Sequence, residues 1–141
     1  IPSGVTSIGS RAFWGCTSLI SVNFAENSAL TSVGGDAFVA TSLRFVEFPA
    51  TLKTLGANCL GGLRYMICNS VSKPTTQGPL KDDDGELAIF VPEESVDAYK
   101  ENFPWNEYEI LPIDRASVTI SKNEDCLYFR RVFSRFPQSY F

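Results

Sequence analysis

The sequence predicts an α/β fold: a right-handed solenoid of parallel β-ladders with short helical turns, followed by a small α+β C-terminal cap. Three observations predict it. One string of apolar residues and glycines occurs three times in register between Val5 and Cys68. Each copy holds two short extended pieces, and in the second written one, Leu-x-x-Val-x-Phe, the last two apolar residues are two apart and so share one face of a strand. After Cys68 the period stops, and a strand, helix, strand pattern takes its place.

The first copy reads Val5-x-x-Ile8-Gly9-x-x-Ala12-Phe13, then Leu19-x-x-Val22-x-Phe24. The second reads Leu30-x-x-Val33-Gly34-x-x-Ala37-Phe38, then Leu43-x-x-Val46-x-Phe48. The third is more worn: Leu52-x-x-Leu55-Gly56-x-x-Cys59-Leu60, then Leu63-x-x-Met66-x-Cys68. Ile8 and Val33 are 25 residues apart, Val33 and Leu55 22, inside the roughly 20–29 residue period of leucine-rich repeats. The glycine after each Ile, Val or Leu permits a turn, and Ala-Phe then lies on a tight helical turn that drops its ring inside. A single coil buries too few apolar residues to fold alone, so the coils must stack. Ile8, Phe13, Leu19, Val22 and Phe24 are expected to stack on Val33, Phe38, Leu43, Val46 and Phe48. These stack in turn on Leu55, Leu60, Leu63 and Met66.

Ile8 to Phe24 spell I-G-x-x-A-F-x-x-C-x-x-L-x-x-V-x-F, which resembles the BspA-type leucine-rich repeat. The second copy has Ala40 in place of Cys16, and the third has Leu60 where the Phe belongs. The resemblance implies a surface protein of the kind found in Bacteroidetes and some protozoa, extracellular or cell-surface, with an adhesion theme. Residues 1–68 are then about three coils, N-terminally truncated. Ile1-Pro2 falls where Phe48-Pro49 falls, so the natural protein is expected to extend upstream, with signal and anchor outside this stretch.

Residues 69–113 read as a capping module. Leu87–Val91 is a short buried strand, and Pro92 pre-sets the first turn of a helix. Glu93, Glu94 and Asp97 suit that helix's positive end, and Val96, Tyr99, Lys100 and Phe103 follow its inward stripe. Tyr108 to Ile113 reads as a final strand. The string I-F-V-P-E-E-S-V-D-A-Y-K with Trp105 is similar to the module that follows the last repeat in many BspA-like proteins. Residues 114–141 match no part of that pattern. They are an unassigned tail whose Phe129, Val132, Phe133 and Phe136 are expected to pack on the solenoid flank, and membrane contact by its basic face is not expected.

Composition narrows the function. Hydrophobic residues make up 44% and charged residues 20%, values of an ordinary globular chain. Residues 1–68 carry four bases and three acids, 69–113 three bases and ten acids, 114–141 five bases and three acids. No block is basic enough to neutralise a run of phosphates, so nucleic acid is not an expected partner. The chain has no histidine, which removes the usual general base and metal ligand, and no catalytic residue is expected. Of the four cysteines, Cys59 and Cys68 fall in core columns of the repeat, Cys16 in a loop and Cys126 in the tail, so free thiols are expected. Asp82-Asp83-Asp84-Gly85-Glu86 does not fit a calcium loop, because placing Gly85 sixth puts Leu80 first and Val91 last. No cofactor and no metal are expected.

The outward strand positions carry the functional signal. Stacked coils line them into ladders: Ile20, Arg44, Arg64; Ser21, Phe45, Tyr65; Asn23, Glu47, Ile67. Arg44, Phe45, Glu47, Arg64 and Tyr65 are the candidate ligand-binding residues, since aromatic rings and guanidinium groups are enriched at binding hot spots. The expected function is an adhesin-like module that binds a host or bacterial surface protein or glycan. The alternative is a structural spacer, in which the cap or the tail covers Phe45 and Tyr65.

Overall fold

The computed structural model describes residues 1–113. Eight short strands follow one another there: β1 (Ser7–Ile8), β2 (Ser32–Val33), β3 (Phe45–Phe48), β4 (Thr54–Leu55), β5 (Tyr65–Cys68), β6 (Thr75–Thr76), β7 (Ala88–Val91) and β8 (Glu109–Pro112). They form two parallel sheets, β1-β2-β4-β6 and β3-β5-β7-β8. Ile8 pairs with Val33 and Val33 with Leu55; Val46 pairs with Met66, Met66 with Ile89, and Ile89 with Ile110. Ile8, Val33, Leu55 and Val46, Met66 are columns of the sequence repeat, Ile89 and Ile110 continue the second one beyond it, and together they give a solenoid-like stack.

A third wall joins the sheets, built of turns in which alternate amides point along the stack. The N–H groups of Arg11, Phe13 and Gly15 donate to the carbonyls of Gly35, Ala37 and Val39, at 2.9, 3.0 and 3.0 Å. Those of Asp36 and Phe38 donate to Ala57 and Cys59, and those of Asn58 and Leu60 to Pro79 and Leu80. This wall is where expectation and structure part. The turns are not helical, because a helix would consume the same N–H groups within one coil. Instead Arg11, Asp36 and Asn58, at one repeat position, take φ of 59°, 57° and 55°, a region that Asp and Asn tolerate better than most residues. Gly15 and Ala40 share a second such position, at 74° and 59°. Ala40 therefore matches Gly15, and Thr41 takes the place of Cys16, its hydroxyl donating to Phe38 O at 2.9 Å.

Between the walls lies one apolar core. Val33, Phe38, Leu43, Val46, Phe48, Leu55, Leu60, Leu63 and Met66 are buried in it. Phe13 stacks on Phe38 with ring centroids 5.4 Å apart and planes 5° apart, and Phe24 lies 5.8 Å from Phe48. The first coil is the less covered one: Val5, Phe13, Leu19, Val22 and Phe24 are only partly buried. Leu19–Phe24 carries the strand pattern but forms no ladder. It is the outermost segment of its wall, held on its far side by Ile1, whose ammonium donates to Asn23 O and whose carbonyl accepts from Ala25 N–H.

Residues 69–113 extend the same walls. β6, the turn at Pro79-Leu80 and β7 make a fourth coil, and β8 adds a further strand. A 3-10 turn at Glu93–Ser95 leads into α1 (Val96–Lys100). Tyr99 is buried from this helix as its stripe requires, but Phe103 lies beyond the helix end and is 60% exposed. Trp105 fills the inward place instead, edge-on to Tyr99 with centroids 4.9 Å apart.

Glycine sets how closely the coils approach. A Cβ on Gly34 would enter the backbone of Gly9 and Ser10, and one on Gly56 the backbone of Gly34 and Gly35. Gly9 holds the same repeat position and has nothing within 4 Å. Gly34→Ala and Gly56→Ala should therefore each destabilise by on the order of 1–3 kcal/mol or more, as overpacking does. Gly9→Ala should be near neutral. Urea melts of the three variants check this, and equal losses at all three positions would contradict the stacking register.

Candidate interaction face

β3 and β5 send Val46, Phe48, Met66 and Cys68 inward, so Phe45, Glu47, Tyr65 and Ile67 take the opposite face. Arg44 and Arg64 stand just before the two strands. They are adjacent because Arg64 N–H donates to Arg44 O at 2.9 Å, and both side chains are exposed. Arg44 Nη1 donates to Leu43 O at 3.2 Å and to Gly62 O at 3.4 Å, which anchors one edge of its guanidinium.

The five candidates do not share one environment. Tyr65 is 4% exposed and Ile67 0%, in a second apolar cluster with Ala88 and Phe90, against which Phe45, Leu111 and Ile113 pack. Glu47 accepts a bond from Asn69 Nδ2 at 3.1 Å, and the same amide donates to Phe48 O at 2.9 Å, so this carboxylate ties two coils together. The ladder thus divides into an open basic rim, Arg44 and Arg64, and a covered apolar centre. Alternation told which residues leave the main core; it carried no information on whether anything covers them. In the first coil two large apolar residues are open, Ile20 at 75% and Trp14 at 58% exposure. Trp14 was not singled out by the sequence reading, although it is the one aromatic to follow Ala-Phe or its counterpart in the three copies.

Residues 1–72 match the BspA-type leucine-rich repeat region, with six copies. The chain belongs to the BspA-type leucine-rich repeat family. No curated protein and no solved structure matches it. Repeats of this family are in general non-enzymatic, protein-interaction modules, which directs attention to surfaces.

In this BspA-type chain the acidic loop after Leu80 has its own internal cation. Lys81, whose side chain is 1% exposed, places Nζ 2.9 Å from Asp83 Oδ1 and donates to Gly85 O at 3.0 Å. Gly85 N–H donates to Asp83 Oδ1 at 2.9 Å. The loop's own carboxylate and carbonyl thus hold the Lys81 ammonium, and a buried ammonium without a partner would be costly. Among the described residues no group of three or more His, Cys, Asp or Glu side chains is placed to hold a metal. Arg64 faces the same loop, so one of the two rim arginines already has an acidic neighbour.

The two buried thiols of the described repeats are packing groups. Cys59 and Cys68 are buried in the core columns. Burial pushes Cys59 up to about 12, against a smaller lowering by a backbone hydrogen bond. Burial also raises Cys68, against smaller lowering by hydrogen bonds from Tyr99 and Ser70. Neither is a thiolate near neutrality, so neither is a nucleophile. Cys16 is exposed, and Cys126 lies outside the described residues.

Burial raises the Asp83 carboxyl, but the Lys81 and Gly85 hydrogen bonds and the Lys81 and Arg64 charges outweigh it, and its pKa falls below the ordinary value. A depressed carboxylate stabilises the fold above its unfolded pKa of about 3.9, and the gain fades as pH falls through the lower folded value. Lys81→Met should therefore raise the Asp83 pKa, read by carboxyl-carbon NMR titration. An unchanged value would show that Lys81 is not the cause.

Proposed function

We propose that the chain is a cell-surface or secreted, adhesin-like binding module that takes a protein or glycan partner on the outward face of its second sheet. The observation that carries this reading is the Arg44–Arg64 pair, two exposed arginines whose backbones one parallel ladder sets on neighbouring coils. A planar guanidinium offers paired donors that match a carboxylate in two-point fashion. The adjacent half-buried Phe45 ring adds an apolar shoulder on which a sugar face or a side chain can pack. Residues 69–113 serve in this reading as the closing end of the stack, and location at the surface follows the habit of the family.

The spacer reading draws support from the burial of Tyr65 and Ile67, because a covered face has less to offer. One experiment separates the two. The fragment is applied to an array of matrix proteins and glycans, and its best ligand is then measured against variants. Arg44→Ala with Arg64→Ala should reduce affinity at least roughly tenfold, the scale of one or two lost charge-assisted bonds, and leave the melting temperature unchanged. Binding that survives the double change, or no ligand at all on the array, would favour the spacer. Tyr65→Ala is unsuitable as a binding probe, since truncating a buried ring should cost on the order of 3–5 kcal/mol of stability.

A further inference from the structure

A groove of about 630 Å³ opens where the fourth coil meets the closing module. Residues 83–87, after the turn at Pro79-Leu80, line one part of it, and residues 103 and 106–109, up to the start of β8, line another. Its volume lies in the roughly 300–1,000 Å³ range of ligand sites. Asp83, Asp84, Glu86, Glu107 and Glu109 line it, and among the described residues no Lys or Arg does. Phe103, displaced from the core by Trp105, adds an exposed ring.

The negative charge is mostly unanswered. Asp83 has Lys81 and Arg64 beside it. Asp84, Glu86, Glu107 and Glu109 are exposed, and no salt bridge among the described residues reaches any of the four. A cleft walled by one sign of charge focuses its field and concentrates ions of the other sign.

The placement of the carboxylates decides which cation fits. A calcium ion draws six to eight oxygens to about 2.3–2.6 Å around one point. No three acids of the described chain are gathered to hold a metal in that way. Charges spread along a groove match charges spread along a chain. Guanidinium groups also pair with carboxylates at two points and stack flat on an aromatic ring, and their aliphatic stems pack on apolar surface.

We propose that this groove docks an arginine-rich segment of a partner polypeptide, with Phe103 as the stacking platform and Glu107 and Glu109 as pairing carboxylates. The inference does not rest on the reading of the Arg44–Arg64 rim, whose own charge would repel such a segment.

Fluorescence anisotropy of a labelled hexa-arginine peptide, titrated with the full chain at low ionic strength, tests it. Glu107→Gln/Glu109→Gln should weaken binding at least roughly tenfold, the scale of lost charge-assisted bonds. Phe103→Leu keeps an apolar side chain but loses the aromatic face, and should weaken it roughly two- to fivefold. Glu93→Gln/Glu94→Gln removes two charges from the same acidic half outside the groove, and should change binding little. An equal loss in that control pair would reduce the effect to net charge and overturn the proposal, as would no binding at all. Spermine or calcium that displaces the peptide at the peptide's own concentration would make a small cation the ligand, and overturns it too. Should a groove variant lose its thermal transition, amide NMR of the wild type with the peptide gives the answer. Shifts centred on residues 83–87 and 103–109 support the docking site, and shifts elsewhere alone refute it. Arg44→Ala with Arg64→Ala should leave the peptide bound, so failure of the rim reading and failure of the groove are told apart.

Discussion

The close backbone approach of one coil to the next governs this molecule, and it depends on what Gly34 and Gly56 lack. With no Cβ at those places, the chain comes near enough for alternate turn amides to reach the next coil's carbonyls. The same approach brings Phe13 onto Phe38 in nearly parallel stacking. Each coil alone buries a few apolar side chains, and only the stack makes them a core. Hydroxyl groups complete the joint where carbonyls would otherwise go unmatched. Thr51 donates to Leu30 O at 2.6 Å and Ser70 to Leu52 O at 2.7 Å.

From that spacing the interaction face follows. Strand alternation sends one set of side chains inward, and the parallel register lines the other set into ladders one coil apart. Arg44 and Arg64 neighbour each other for this reason, although twenty residues of sequence separate them. The same logic carries β7 and β8 into the sheet, where Ala88, Phe90 and Leu111 continue the outward apolar cluster. Charge changes along the stack in parallel: the coils are nearly neutral, and residues 69–113 are strongly acidic. The buried Lys81 ammonium and the exposed Arg64 guanidinium lie at that junction, both beside Asp83.

Much of this was legible in the residues. The columns Ile8, Val33, Leu55 and Val46, Met66 were written in the repeat period, and the structure pairs them as read. Three features were not. The turn wall looked helical because Ala-Phe spacing does not reveal where an amide points, and the positive φ of Arg11, Asp36 and Asn58 decides it. Phe103 fitted a helical stripe, yet the helix ends at Lys100 and Trp105 takes the inward place. At the face the sequence placed Arg44, Arg64 and Tyr65 alike on the outward side and left open whether Phe45 and Tyr65 are covered; the two arginines are exposed, and Tyr65, in the neighbouring ladder, is buried. Local pattern reports which side of a strand a residue leaves from; it does not report whether that residue is then buried.

Native-state hydrogen exchange of the turn amides tests the central claim, that coil-to-coil bonding through the turn wall holds the stack. The N–H groups of Asp36, Phe38, Asn58 and Leu60 should exchange only through global unfolding, with protection equal to that of the strand amides of Met66 and Cys68. Fast exchange at those four positions, with the β5 amides still protected, would contradict it and leave the sheets as the only structural support.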